Sequence, residues 1–178
     1  ADGGSLTVDG SISKPGAGNA TVSVVNNLAG NASSVLIASN LTATALTLSS
    51  TSADQYLTTG FDIALSSQLQ VGGGANVNKN STFRQTNGTV TVASQGYGIV
   101  LLEAYDRPTN GVQTYVLDGG VLKGYRIGVS GGNGSNIAPY YRYAGTGVLE
   151  FNNGTIETPY SGGHVWFENG SAMETYNG

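Results

Sequence analysis

The chain has a single histidine, His164, close to Trp166 and Glu168, and no cysteine. A metal centre or a catalytic triad needs several such groups converging, and one imidazole without a thiolate offers too few ligands. His164 therefore reads as an ordinary strand residue. A polysaccharide lyase or glycosidase would need two carboxyl groups facing one bond, or carboxylates gathered on calcium beside a basic residue. The available groups are Asp106, Arg107, Asp118, Arg126, Arg142 and Glu150. They fall at unrelated positions, with no pair on alternate residues of one strand, and read as solvated surface charge. Residues 131–136 have the glycine richness of a calcium nonapeptide, but Asn133 stands where an aspartate should, and no tandem copy follows. Gly72, Gly73 and Gly74 lead into neither Lys-Ser/Thr nor a helix start, so they form no phosphate loop. The expectation is a non-enzyme that takes no metal and no cofactor.

Two further sets of side chains could carry function without catalysis. Asn-x-Ser/Thr sequons occur at Asn19, Asn31, Asn40, Asn80, Asn87, Asn133, Asn153 and Asn169. One reading is N-glycosylation of an exported protein. The other is turn grammar, because Asn87, Asn133, Asn153 and Asn169 are each followed by glycine. Asn19, Asn31, Asn40 and Asn80 are the candidate glycan carriers, since no Asn-Gly turn accounts for them. Tyr140, Tyr141, Tyr143 and Tyr160 could form an aromatic platform for sugars, with packing beneath a long connector as the alternative.

The elements that hold these residues are strands. Gly supplies 28 of the 178 positions, and only 10% of residues are charged. Gly, Ser, Thr and Asn lower helix propensity, whereas alternating Thr, Val, Leu and Tyr suit a pleated, half-buried surface. A hydrophobic content of 39% argues against a disordered chain. A net charge of -4 with seven Lys plus Arg leaves no basic patch for nucleic-acid phosphates. No apolar run reaches the ~18 residues of a membrane span. The start at Ala1, without a methionine, fits a mature end left by signal cleavage and predicts an extracellular or cell-surface location.

The first segment, 1–71, is aliphatic and rich in Ser and Thr; the second, 72–178, holds most aromatics, and the two are expected to form one continuous unit. Period-two runs at 6–12, 20–25, 34–38, 41–48 and 61–65 predict short strands in the first. The second repeats a motif: Thr82 to Val90 around Asn87-Gly88, Thr114 to Leu122 around Gly119-Gly120, and Val148 to Ile156 around Asn153-Gly154. A fourth copy begins at Ala172. Each turn needs positive φ, which Gly reaches freely and Asn tolerates. Alternation is expected to send Phe83, Tyr115 and Leu149 one way and the Thr and Gln side chains the other. One such unit cannot bury its own apolar face, so successive units must stack.

On these turns and their spacing, residues 69–178 resemble the autotransporter-associated β-strand repeats of large bacterial surface proteins. The resemblance implies an all-β fold, a right-handed parallel β-helix or solenoid, from the exported part of a long protein. It also implies an adhesive or structural role at a cell surface or in a biofilm matrix, and it brings no catalytic residues. The expected partners are other copies or neighbouring repeats of the same protein, and surface polysaccharide. Ending within a repeat at Gly178 predicts a piece of something longer. The alternative architecture is a β-sandwich or jelly-roll filament subunit, in which the strand at 6–12 leaves its own sheet and completes a neighbour's.

Overall fold

The computed structural model describes residues 5–8, 10, 12–13, 18–26, 30–50, 53–72, 79–94, 99–101, 111–129, 146–159, 161–167 and 172–175. Among them every regular element is a β-strand. In chain order these are β1 (Ser5–Val8), β2 (Thr21–Asn26), β3 (Ser33–Ile37), β4 (Leu41–Ser50), β5 (Gln55–Thr59) and β6 (Ile63–Val71). Then come β7 (Ser81–Gln85), β8 (Thr89–Val92), β9 (Ile99–Leu101), β10 (Val112–Leu117), β11 (Val121–Gly124) and β12 (Arg126–Val129). The last are β13 (Thr146–Phe151), β14 (Thr155–Glu157), β15 (His164–Phe167) and β16 (Ala172–Thr175).

The first sheet stacks seven strands in the order β1-β3-β5-β7-β10-β13-β16, each parallel to the next. At the usual ~4.8 Å between strands, these rungs span about 29 Å. Chain order and stacking order coincide, so the polypeptide returns to this sheet once per circuit. Counted on this sheet, a circuit takes as few as 22 residues, from Ser33 to Gln55, and as many as 34, from Val112 to Thr146.

The second sheet receives the chain between visits to the first. In β4 and β6 one long strand crosses the whole face, and its register shifts between Ala43 and Ala45. That irregularity bends the strand. Thr44 closes the gap: its Oγ1 accepts from the Ala20 amide at 2.9 Å, while its own amide donates to the Ala20 carbonyl at 2.8 Å. Beyond β6 the face divides into two limbs. β8, β11 and β14 continue the first half, and β9, β12 and β15 continue the second.

Period two turns alternate side chains of each sheet into the interior, where they form columns. In the first sheet Val35, Leu57, Phe83, Tyr115 and Leu149 follow one another rung by rung, and the last four are fully buried. Facing them are Leu41, Ile63, Val90 and Leu122 from one limb, and Leu46, Leu69 and Ile127 from the other. The repeat motif thus puts Phe83, Tyr115 and Leu149 in successive places on one ladder.

Several expectations need correction. An antiparallel sandwich or jelly roll is excluded among the described strands, because every pairing is parallel. The run at 6–12 does not leave its sheet: β1 pairs with β3, and Ile12 bridges Leu41. β5 lies where the period-two runs predict no strand, and the strand expected at 61–65 begins at Ile63 and extends to Val71. The glutamines do not face outward. Gln85 lies two residues from Phe83, and Gln113 two from Tyr115, so the same alternation carries both into the interior, where they are fully buried. Apart from these corrections, strand pairing crosses residue 71, from β5 to β7 and from β6 to β8.

Candidate functional site

The turn residues form the corner where the chain leaves the first sheet. Thr86 donates its amide to Thr59, Asp118 to Gln85 and Asn152 to Leu117, at 2.8 to 2.9 Å, so each corner rests on the one before it. Gly88, Gly120 and Gly154 have φ of 70°, 82° and 111°, the left-handed region the sequence predicts for them. Space demands glycine as well: a Cβ on Gly120 would lie 2.1 Å from the Gly88 carbonyl oxygen. Gly119 is excluded from bearing a side chain by the Thr86 carbonyl, 2.6 Å from its Cβ position. Asn87 and Asn153 are exposed on the same ridge. The strands flanking each turn lie in different sheets and do not pair with one another.

Earlier circuits build this corner without such glycines, from hydrogen-bonding side chains that sequence reasoning missed. Asp62 Oδ1 accepts from the Thr89 amide at 2.8 Å, and Asn40 Oδ1 accepts from the Asp62 amide at 3.2 Å. A side-chain oxygen therefore takes the place that the Gly88 carbonyl holds for Val121 one circuit later, at 2.9 Å. The available signal was an Asn or Asp just before each strand start, at Asn40 and Asp62. The opposite corner, entering the first sheet, uses the same device. Asn80 donates its amide to Asp54 Oδ1 at 3.1 Å and its Nδ2 to Asp54 Oδ2 at 3.2 Å, and its Oδ1 accepts from the Val112 amide at 2.9 Å.

This geometry separates the four candidate glycan carriers. All are exposed. The side chains of Asn40 and Asn80 are spent on corner bonds, and Nδ2 of Asn80, the atom that would carry a sugar, already binds Asp54. Asn31 is tied through its backbone carbonyl, which accepts from Asn26 Nδ2 at 2.9 Å. Asn133 and Asn169 lie outside the described residues, as do Tyr140, Tyr141, Tyr143, Tyr160, Asp106, Arg107 and Arg142.

Charged groups expected to be scattered are in part brought together. Arg84 Nε pairs with Asp118 Oδ2, and Asn152 Nδ2 donates both to Asp118 Oδ1 at 2.8 Å and to Glu150 Oε1 at 2.9 Å. Two carboxylates on neighbouring rungs thus share one amide, a proximity comparable to the ~5 to 10 Å of carboxyl pairs in glycosidases. The circuit length of 34 residues between Asp118 and Asn152 is what joins them. Lys123 Nζ and Glu157 Oε2 make a similar stitch at 3.1 Å. His164 is exposed, with Nδ1 2.9 Å from the Gly162 carbonyl, and Arg126 lies over the Tyr125 ring at 5.4 Å. Among the described residues no three His, Asp or Glu side chains converge as a metal site.

An outer groove of about 350 Å³ follows the bend in the second sheet, lined by Thr42, Ala43, Ala64, Leu65, Ser66, Thr91 and Ala93. Thr42, Ala64 and Thr91 are successive members of one ladder. The lining offers hydroxyl and methyl groups and no titratable side chain, so it can hydrogen-bond and pack but cannot itself move a proton.

Compared with known proteins, the chain matches no family model, no curated protein and no solved structure. Among the described residues no helix is long and apolar enough to cross a membrane.

Proposed function

We propose that the chain is a segment of an extracellular, non-catalytic β-repeat scaffold, structural or adhesive, at a cell surface or in a biofilm matrix. We assign its architecture to a right-handed parallel β-helix. The hand follows from the strong preference of parallel crossover connections for the right-handed sense. The observation that carries the reading is the first sheet, where seven parallel rungs are added in chain order and one apolar column runs through them. Such an array grows by adding circuits, and each circuit hides the apolar face of the last.

The outward side chains fit this role. They are largely hydroxyls and amides, and the acidic groups of the Asp118 cluster are engaged with Arg84 and Asn152 rather than directed at a shared opening. The end of the stack supports partners of the same kind. Leu6 is 48% exposed on β1, which among the described residues pairs with β3 alone, so a further rung would cover it. A bare strand edge of this type pairs with like edges unless a neighbour covers it.

The test is the size and form of the native protein. A native polypeptide far heavier than 18.1 kDa, with the strands stacked along a rod, is expected. A mature chain ending at Gly178 would remove the array reading. A sugar-active enzyme is the competing class, motivated by the Asp118 and Glu150 pair. A screen over pectins, alginates and xylans, with and without calcium, is expected to be silent, and turnover lost on Asp118→Asn would overturn the scaffold reading.

A further inference from the structure

Along the corner where the chain enters the first sheet, one interior column is polar. Its successive members are Ser33, Gln55, Ser81, Gln113 and Gly147. Gln55, Ser81 and Gln113 are fully buried. Backbone carbonyls fix the orientation of both amides. Gln55 Nε2 donates to Tyr56 at 3.1 Å and Ser33 at 3.3 Å, and Gln113 Nε2 donates to Lys79 at 2.9 Å. Rotating either amide would lose these bonds. Gln55 Oε1, Ser81 Oγ and Gln113 Oε1 meet no hydrogen-bonding partner in the protein.

A donor count shows what is missing. The two amide oxygens only accept, and the serine between them carries a single hydroxyl proton. Ser81 cannot satisfy both neighbours even after rotating. Long and short residues also alternate in this column. A serine in a ladder flanked by glutamines lacks three of their side-chain atoms and so cannot reach as far as they do toward a partner. Buried polar atoms on three consecutive rungs that the protein leaves without partners are what an internal water serves.

We infer that the level of Ser81 is a binding site for internal water, which donates to Gln55 Oε1 and Gln113 Oε1 and accepts from Ser81 Oγ. The water completes the hydrogen bonding of three consecutive rungs where the apolar column gives way to a polar one. It does so without adding charge to the interior. The site is independent of the scaffold reading, because it depends only on the stacked register.

Two measurements test it on the whole chain. Water-oxygen magnetic relaxation dispersion should show a long-lived internal water in the natural protein, and Gln113→Met should lower that amplitude while β-sheet circular dichroism is unchanged. An unchanged amplitude in the folded variant would overturn the site. Should Gln113→Met fail to fold, a crystal structure of the natural chain decides. Density within hydrogen-bonding distance of all three atoms is expected. Ser81 Oγ bonded directly to a glutamine oxygen with no water, or a peak replaced by rubidium on soaking, would overturn it, the latter by revealing a cation site.

Discussion

The rings of Phe83 and Tyr115 stack with centroids 4.9 Å apart and planes inclined by 22°, each supplied by a different circuit of the chain. The spacing is that of neighbouring strands, so the aromatic pair is a direct product of the ladder register. Phe83→Ala should cost about 3 to 5 kcal/mol in urea unfolding, because it opens a cavity between Leu57 and Tyr115. A loss under ~1 kcal/mol would contradict the packing.

Tyr115 adds a polar requirement to that column. Its hydroxyl donates to Gln85 Oε1 at 2.6 Å, and Gln85 Nε2 in turn donates to the Gly88 carbonyl at 2.9 Å and the Val121 carbonyl at 3.1 Å. Tyr115→Phe leaves the Gln85 oxygen buried and unpaired, so about 1 to 3 kcal/mol should be lost. Adding Gln85→Met to that variant should recover part of the loss, which a double-mutant cycle would register.

Burial also pushes the Tyr115 phenol well above its ordinary 10.0. The unfolded chain therefore releases this proton at a lower pH than the folded one. Its contribution to stability is fully present below pH ~10 and is lost as pH rises from there toward the folded value. Denaturant midpoints should fall more steeply above pH ~10 in the natural chain than in Tyr115→Phe. Equal slopes would place the phenol in contact with water.

Glycine substitution should separate the corner from the loops. Gly120→Ala forces a Cβ against the Gly88 carbonyl and a positive φ of 82°, so a loss of ~2 to 4 kcal/mol is expected. Gly10→Ala, where nothing lies within 4 Å of the new methyl, should change stability by under ~0.5 kcal/mol. Thermal melts of the two variants are sufficient, and similar midpoints would refute the stacked corner.

Asn80 is expected to matter through the corner rather than through a sugar. Asn80→Ala removes the bonds to Asp54 Oδ2 and the Val112 amide and should cost about 1 to 2 kcal/mol. Peptide mapping of material from a glycosylating host should find sugar at Asn31 or Asn19 in preference to Asn80. Full occupancy at Asn80 in folded material would show that its amide is not held by Asp54.

The sequence by itself determined strand character, through its Thr, Val and Leu alternation and its shortage of helix formers. It also marked Gly88, Gly120 and Gly154 as turn positions, because only glycine combines positive φ with the absence of a Cβ. Both are local properties, encoded within a few residues of where they act. Tertiary structure alone decided which residues meet across circuits. Asp118 with Arg84 and Asn152, Asp62 with Thr89, and Asn80 with Asp54 and Val112 are joined by rung stacking whose period drifts between 22 and 38 residues. A variable period hides such partners from any fixed spacing rule, and the corners at Asn40 and Asp62, which have no positive-φ glycine, carry only an Asn or Asp before the strand start as a signal. The inward glutamines were legible in principle, since Gln85 shares the parity of Phe83. The expectation of an outward glutamine set its polarity above that parity, and the buried backbone carbonyls at the corner, which an apolar side chain could not satisfy, are what hold Gln85 inside.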